Sequence, residues 1–281
     1  MDLPLALSAL LVFAFGACIG SFVNVVAYRL PRQISVVAPR SFCPNCGEPV
    51  PFWANIPIVA SVALRGRCNA CGARIPFRYF LTELALASAA AYLFLNFSLL
   101  DALARYILCA GLFVAALIDY EWREIPNAIT FPGIPLGLLT AWCVMPEVGW
   151  KSSLAGILVG AGFLFLTGEA YLRLRGREGV GMGDVWLLGM VGAFLGWPGA
   201  LFTLFVGSIL GTIGAVALTL GGEGAVHPNE ALEPSEATMK TSSSHASRPF
   251  LQTEIPFGPF LALAAGIFAL FQPTLAEWYL R

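Results

Sequence analysis

Charge is scarce in this sequence, and the scarcity extends over most of its length. Of its 281 residues only 12% are charged, 58% are hydrophobic, and the mean hydropathy is +0.76. Soluble domains carry about 25% charged residues, because a domain folded in water needs a polar surface. Long apolar runs that recur along the chain therefore argue against a water-soluble fold and predict a protein that faces lipid. The net charge of −1 gives no indication of a nucleic-acid partner.

The amino terminus lacks the positive stretch that precedes the apolar part of a secretory signal peptide. The first apolar run also continues beyond signal length, so we expect it to remain as a membrane helix. Apolar segments long enough to cross a bilayer predict an all-α polytopic membrane protein with about eight transmembrane helices. The segments are about 4–28, 79–97, 101–119, 127–146, 152–173, 184–197, 199–220 and 256–279.

Two segments are too polar to lie in a membrane. Residues 29–78 hold many arginines and prolines, and residues 221–254 are rich in Ser, Glu and Pro without periodicity, which predicts a disordered loop. The expected organisation is a first helix (1–28), a small inserted domain (29–78), helices 2–7 (79–220), the polar loop (221–254) and a last helix (255–281). Cytoplasmic loops collect Lys and Arg, and with eight spans most of the 16 basic residues share one side. We therefore expect the inserted domain in the cytoplasm and both termini in the periplasm.

Four of the seven cysteines form two CxxC pairs, CPNC at 43–46 and CNAC at 68–71. Two CxxC turns at about this separation are typical of a tetrahedral zinc site, and zinc supplies folding energy that so small a segment lacks. Two disulfides are the alternative, which a reducing cytoplasm disfavours. Four thiolates leave no open position for water, so we expect a structural ion on Cys43, Cys46, Cys68 and Cys71.

Two aspartates stand at the ends of apolar segments, Asp119 in AALIDYEWREIPN and Asp184 in GMGD. Ionisable groups within spans are costly and tend to be functional, and the eight-span topology places both at the cytoplasmic side. Two carboxyl groups close together, one ionised and one protonated, form the apparatus of an aspartic protease. The alternative is that Asp184 only caps its helix and that Asp119 is only a charge at a span end.

Glycines and polar residues elsewhere in the sequence are candidates for contacts with the substrate or cofactor of such a protease. Gly181 and Gly183 would let a substrate strand lie against the main chain. Four further polar residues are candidate substrate or cofactor contacts, and structural polar groups in a helix bundle are the alternative interpretation. They are Asn24, Glu83, Glu121 and Glu124.

Five blocks resemble, in family order, the prepilin peptidases, the bifunctional leader peptidase/N-methyltransferases of type IV pilus and type II secretion systems. They are GSFVNVVAYRLP (20–31), the cysteine-containing segment 41–83, IDYEWREIPNAITFP (118–132), GMGDVWLLGMVGAFLGW (181–197) and IPFGPFLALAAG (255–266). The resemblance implies that Asp119 and Asp184 are the catalytic pair and that the four cysteines bind zinc. One position departs from the family, because Trp186 stands where a lysine is frequent.

The resemblance also implies the substrate and two reactions. The substrates would be type IV prepilins or pseudopilins, each with a short basic leader in the cytoplasm and an apolar helix in the lipid of the bacterial inner membrane. The enzyme would cut after the glycine that ends the leader and then transfer a methyl group from S-adenosylmethionine to the new amino terminus. No glycine-rich loop follows a strand, so the cofactor site would differ from a Rossmann site.

Other functions remain alternatives at this point. The chain could be a peptidase without methyl transfer, or a presenilin-like protease that cuts within a span. A proton-coupled transporter would also use intramembrane acids, but it predicts an inverted repeat that is not evident. A non-enzymatic assembly factor predicts that replacing both aspartates leaves function intact.

Overall fold

The computed structural model describes residues 3–176, 179–220 and 256–279, and the predicted disordered loop 221–254 lies outside the described residues. The described chain is mainly helical. Its elements are α1 (Leu3–Arg29), a 3₁₀ turn (Phe52–Asn55), α2 (Val59–Ala63), α3 (Phe77–Asn96), α4 (Leu99–Trp122), α5 (Asn127–Cys143), α6 (Gly149–Arg175), α7 (Met182–Leu220) and α8 (Gly258–Tyr279). Within these ranges, five helices are long and apolar enough to cross a membrane: α1, α3, α4, α6 and α7, the last over Met182–Ala217.

Helix α7 is broken where the sequence predicts a corner between two spans. Gly196 has φ 72° and ψ −175°, a conformation that glycine adopts far more easily than other residues. Pro198 follows and removes one helical N–H donor. The break lies close to the boundary between the predicted segments 184–197 and 199–220, and it divides α7 into two arms that correspond to these two segments.

The helices pack as two groups joined through α4. Helix α1 packs against α3 and α4, whereas α7 packs against α5, α6 and α8, and α8 also lies along α4. Small residues allow the closest approach: a Cβ at Gly192 would collide with the backbone of Gly156 on α6. Close contact between small residues is a common way to associate helices where lipid offers no hydrophobic driving force.

Arg105 fastens α8 to α4 at one end of the bundle. Its side chain is 1% exposed. Nε donates to Asp101 Oδ1 at 2.8 Å, and Nη1 donates to the Ala269 carbonyl at 2.9 Å and to Gln272 Oε1 at 2.8 Å. The guanidinium also lies over the Phe97 ring, 4.4 Å from its centroid. A buried charge with this many partners fixes the position of α8 along α4.

Because the Arg105 guanidinium is buried, its removal should lower the stability of the bundle strongly. We expect Arg105→Leu to lower the free energy of unfolding in detergent by about 3 kcal/mol, because Asp101 and the Ala269 carbonyl would lose their buried partner. Arg173→Leu is the matched control, since Arg173 has the same i,i+4 pairing with Glu169 but is exposed, and it should change this free energy by about 0.5 kcal/mol or less. Equal losses of unfolding free energy in the two variants would contradict the conclusion that Arg105 holds α8 against α4.

Candidate active site and metal centre

Asp119 lies in the last turn of α4 and is only 6% exposed. The helix ends three residues later, where Arg123 adopts φ 56° and its N–H donates to the Asp119 carbonyl at 2.9 Å. The side chain turns toward α8, and Oδ2 accepts a hydrogen bond of 2.9 Å from the Gly258 backbone N–H. One carboxyl oxygen of Asp119 is therefore held by the first residue of the last helix.

Asp184 lies in the first turn of α7, and its carboxyl group is half-buried. It is the third residue of that helix rather than its cap, and its N–H donates to the Gly181 carbonyl at 3.1 Å. Asp184 therefore lies near the positive end of the α7 dipole, but among the described residues no N–H donates a hydrogen bond to its carboxyl oxygens. Gly181 is exposed, and a Cβ at that position would lie 3.4 Å from Asp184 Oδ2, so this glycine keeps one side of the carboxyl group open.

The two aspartates are brought to the same site, with Ile125 packed between the elements that carry them. A Cβ at Gly183 would lie 2.8 Å from Ile125 Cβ, and a Cβ at Gly258 would lie 3.1 Å from Ile125 Cδ1. Gly183 thus serves close packing against Ile125, in contrast to the open space for a substrate that its sequence context suggested.

Asn24 and Glu83 have partners in the backbone. Asn24 Nδ2 donates to the Tyr79 carbonyl at 3.2 Å, and Glu83 accepts a 2.7 Å hydrogen bond from the N–H of Ile58. Ile58 belongs to the inserted segment and adopts φ 63°. Both side chains therefore hold α1, α3 and the inserted segment together, which is the structural alternative considered for them.

Glu121 lies on a different face of α4 from Asp119, because two residues correspond to a rotation of about 200° along an α-helix. It pairs with Arg78 and lies 3.9 Å from Arg32. Glu121 and Arg78 line a cleft between α1, α3 and α4 that is also lined by Asn24, Tyr28, Tyr79 and Leu117. Glu124, the remaining candidate, is exposed on the chain that follows α4.

Trp186, at the position where the resembled family often has lysine, packs against α5. Its ring meets the Phe131 ring edge to face, with centroids 5.0 Å apart and an interplanar angle of 84°. Two residues along α7 again mean a rotation of about 200°. The tryptophan therefore joins α7 to α5 rather than facing the same direction as Asp184.

The four CxxC cysteines converge on one point. Their Sγ atoms all lie within 4.8 Å of one another, and those of Cys43 and Cys71 are 3.9 Å apart. Four sulfurs at zinc-ligand distance from a common tetrahedral centre would be separated by about 3.8 Å. The cluster therefore fits a metal ion bound by four thiolates.

The two CxxC turns are built in the same way. Gly47 N–H donates to the Cys43 carbonyl at 2.8 Å, and Gly72 N–H donates to the Cys68 carbonyl at 3.0 Å. Both glycines have positive φ, 73° and 70°. A short antiparallel bridge closes each turn, between Phe42 and Pro49 in one and between Arg67 and Arg74 in the other. Their common geometry explains why sequence spacing alone predicts the site.

Without a cation these thiols differ in acidity. Hydrogen bonds from the Ala73 backbone and the Asn45 side chain lower the pKa of Cys71 to about 6. The pKa of Cys46 is raised to about 11 although a backbone hydrogen bond at Glu48 lowers it, because desolvation and the neighbouring thiols together outweigh that bond. A bound cation favours the ionised form of every ligand, so metal uptake should release protons.

We expect the purified protein to hold about one metal ion per chain and Cys68→Ser to lose it, because a hydroxyl is a poor replacement for a thiolate ligand. Cys143→Ser is the control, since Cys143 is an exposed free thiol at the end of α5. Metal content by mass spectrometry of the acid-digested protein measures both. An unchanged metal content in Cys68→Ser would refute the four-cysteine site.

Gly258 and Ile125 were not singled out from the sequence as site residues. The signal for Gly258 is its place in PFGP, because a glycine next to a proline at the start of an apolar helix marks a tight helix entry. Ile125 carries no chemical signal, and only the folded arrangement identifies it. Arg29 is buried at the end of α1 and holds the chain that follows this helix, because it donates to the Ser35 and Pro39 carbonyls, each at 2.9 Å.

Two family models match the chain. The bacterial peptidase A24 N-terminal domain matches residues 14–97, and the type IV leader peptidase family matches residues 106–216. The first match covers the four cysteines, and the second covers both aspartates. No solved structure is significantly similar to the chain.

Curated relatives resemble the chain over nearly its whole length. A prepilin leader peptidase/N-methyltransferase of Pseudomonas aeruginosa is 31% identical, over 99% of this chain and 95% of the relative. Proteins of the same name from Aeromonas hydrophila and Myxococcus xanthus are 33% and 31% identical, each over 96% of this chain and over 93% and 92% of their own length.

Proposed function

The chain belongs to the type IV leader peptidase family, and on that premise we propose that it is a membrane aspartic endopeptidase for type IV prepilins that also methylates the new amino terminus. The observation that carries the proposal is the site of Asp119 and Asp184. The two carboxyl groups come from different helices, and Gly183 and Gly258 beside them both pack against Ile125, at the end of the bundle to which the four-cysteine segment is attached. We extend the proposed substrates to pseudopilins.

The chemistry requires one carboxyl group in each protonation state. An ionised carboxylate takes a proton from water as the water oxygen attacks the scissile carbonyl, and the protonated partner donates to the carbonyl oxygen. Like charges in one buried site disfavour ionisation of both groups, so such a pair shares one proton. The water needs no activating metal at this site, because a carboxylate serves as its base.

The depth of the site suits a substrate that enters from the membrane surface. Asp119 lies one turn before the end of α4, and Asp184 lies one turn after the start of α7. A peptide bond between a polar leader and an apolar helix would reach this level while its helix stayed in lipid. Glu124 is exposed near the same end and adds negative charge that would attract a basic leader.

S-adenosylmethionine would supply the methyl group for the second reaction. Among the described residues, the cleft of Asn24, Tyr28, Arg78, Tyr79 and Glu121 is the other concentration of polar groups between helices at this end. Its carboxylate and guanidinium are paired with each other. Among the described lining residues of this cleft, the charged groups are therefore already paired and none is left over for the cofactor.

We further propose eight spans, with the two arms of α7 counted separately and with α5 and α8 included. Helix α5 has 17 residues, which corresponds to about 25 Å of length. The arginine distribution supports periplasmic termini and a cytoplasmic metal cluster in a bacterial inner membrane. In this organisation residues 29–78 are a zinc domain, 79–220 the catalytic helices, 221–254 a cytoplasmic loop and 255–281 the last span. Zinc is the proposed ion because four thiolates in tetrahedral arrangement are typical of it.

The function is tested by the mass of a product. Purified enzyme is incubated with a pilin-like precursor and S-adenosylmethionine, and we expect the mature peptide to lack its leader and to carry one added methyl group. Leader loss without methylation, in the presence of the cofactor, would refute methyl transfer. An intact precursor would refute the peptidase.

The aspartates are tested separately. We expect Asp119→Asn and Asp184→Asn each to slow leader removal about 1000-fold, because an amide can neither accept the proton from water nor share one. Glu169→Gln is the control, since it removes a partly exposed carboxylate on α6 and should leave the rate unchanged. Cleavage at the wild-type rate by either asparagine variant would refute the assignment of Asp119 and Asp184 as the catalytic pair.

A further inference from the structure

The first turn of α8 offers one backbone donor to a partner outside the helix. The first N–H groups of an α-helix have no intrahelical acceptor. In α8 the second residue is Pro259, which has no N–H, and the N–H groups of Phe260 and Leu261 donate to the Phe257 carbonyl at 3.1 and 3.2 Å. The Gly258 N–H is the remaining backbone donor of this turn, and it donates to Asp119 Oδ2 at 2.9 Å.

This contact leaves no room for a side chain at position 258. A Cβ there would lie 2.7 Å from Asp119 Oδ2, 3.0 Å from Asp119 Cγ and 3.1 Å from Ile125 Cδ1. The carboxyl group therefore rests directly on the helix start, a position that requires glycine for its lack of volume. The positive end of the α8 dipole reinforces the same hydrogen bond.

The two carboxyl groups of the site have different surroundings. Asp119 Oδ2 receives the Gly258 N–H at 2.9 Å. Asp184 also lies near a helix start, that of α7, but among the described residues none donates a hydrogen bond to its carboxyl oxygens. Hydrogen bonds to an ionised acceptor are roughly twice as strong as neutral ones, so the Gly258 hydrogen bond favours the carboxylate form of Asp119 over that of Asp184.

We propose that Gly258 is a positioning residue that fixes Asp119 as the base of the pair and leaves Asp184 as the protonated partner. This inference rests on the proposed peptidase function. It gives each aspartate a distinct role that family membership does not supply.

The assignment gives a balanced sequence of proton transfers. Asp119 takes a proton from water while the water oxygen bonds to the carbonyl carbon, and Asp184 gives its proton to the carbonyl oxygen. In the second step Asp119 gives its proton to the amide nitrogen as the C–N bond breaks. Asp184 takes back a proton from a hydroxyl of the tetrahedral intermediate, so both groups return to their starting states.

Gly258→Ala tests this role against a control on the same helix. We expect the added methyl group to displace the Asp119 carboxyl group, so that kcat for leader removal falls about 100-fold while KM changes less than about threefold. Gly266→Ala is the control, because a Cβ at Gly266 meets nothing within 4 Å, and it should keep both constants. Melting temperature and metal content of Gly258→Ala should match the wild type.

A second variant removes the donor and adds no volume. Replacing residue 258 by glycolic acid converts its amide to an ester, and we expect kcat to fall about 10- to 100-fold, the effect of losing one hydrogen bond to a charged group. An ester carbonyl is also a weaker hydrogen-bond acceptor than an amide carbonyl, and the same ester at position 266 controls for this second effect. Wild-type kcat in the ester at 258, or a loss in Gly258→Ala that raises KM and lowers the melting temperature in parallel with kcat, would overturn the inference. Absence of cleavage by the wild type would instead overturn the proposed function.

Discussion

Polar side chains among apolar helices have to find their partners inside the protein, because lipid provides neither donors nor acceptors. Three contacts described above meet this constraint. Arg105 binds backbone and side-chain acceptors on α8, Glu83 accepts from the Ile58 N–H, and Asp119 accepts from the Gly258 N–H. Each contact joins elements that are distant in sequence. The need to give a few polar groups hydrogen-bond partners thus determines which helices pack together and how they are positioned along one another.

Helix α8 illustrates how this constraint reaches the active site. Arg105 lies near the start of α4 and holds the middle of α8, whereas Asp119 lies near the end of α4 and holds the start of α8. Two polar contacts at opposite ends of one helix pair leave little freedom for sliding. The same contacts that stabilise the bundle therefore place a backbone donor against one of the two aspartates, and α7 brings the other.

Much of this arrangement could be predicted from sequence, because its signals are local. The CxxC turns, the apolar segments and the boundary between segments 184–197 and 199–220 follow from spacing and composition over short stretches. Contacts between side chains and segments that are distant in sequence leave no local pattern. Glu83 and Glu121 were candidate substrate contacts, and in the structure their carboxylates accept from the Ile58 N–H and pair with Arg78. Gly183 suggested open space for a substrate, but Ile125 fills it. Packing between distant segments decides these roles, and local patterns do not record it.

The central claim is that Asp119 and Asp184 form one site. Its most direct test is cross-linking by a short bifunctional thiol reagent of an Asp119→Cys/Asp184→Cys double variant in which Cys18, Cys109 and Cys143 are replaced by alanine. An Asp119→Cys/Ile209→Cys variant serves as the control, because Ile209 is exposed on the second arm of α7. The account predicts that mass spectrometry finds a linked peptide pair for residues 119 and 184 and none for 119 and 209. Absence of the first link, or equal yields of both, would contradict it.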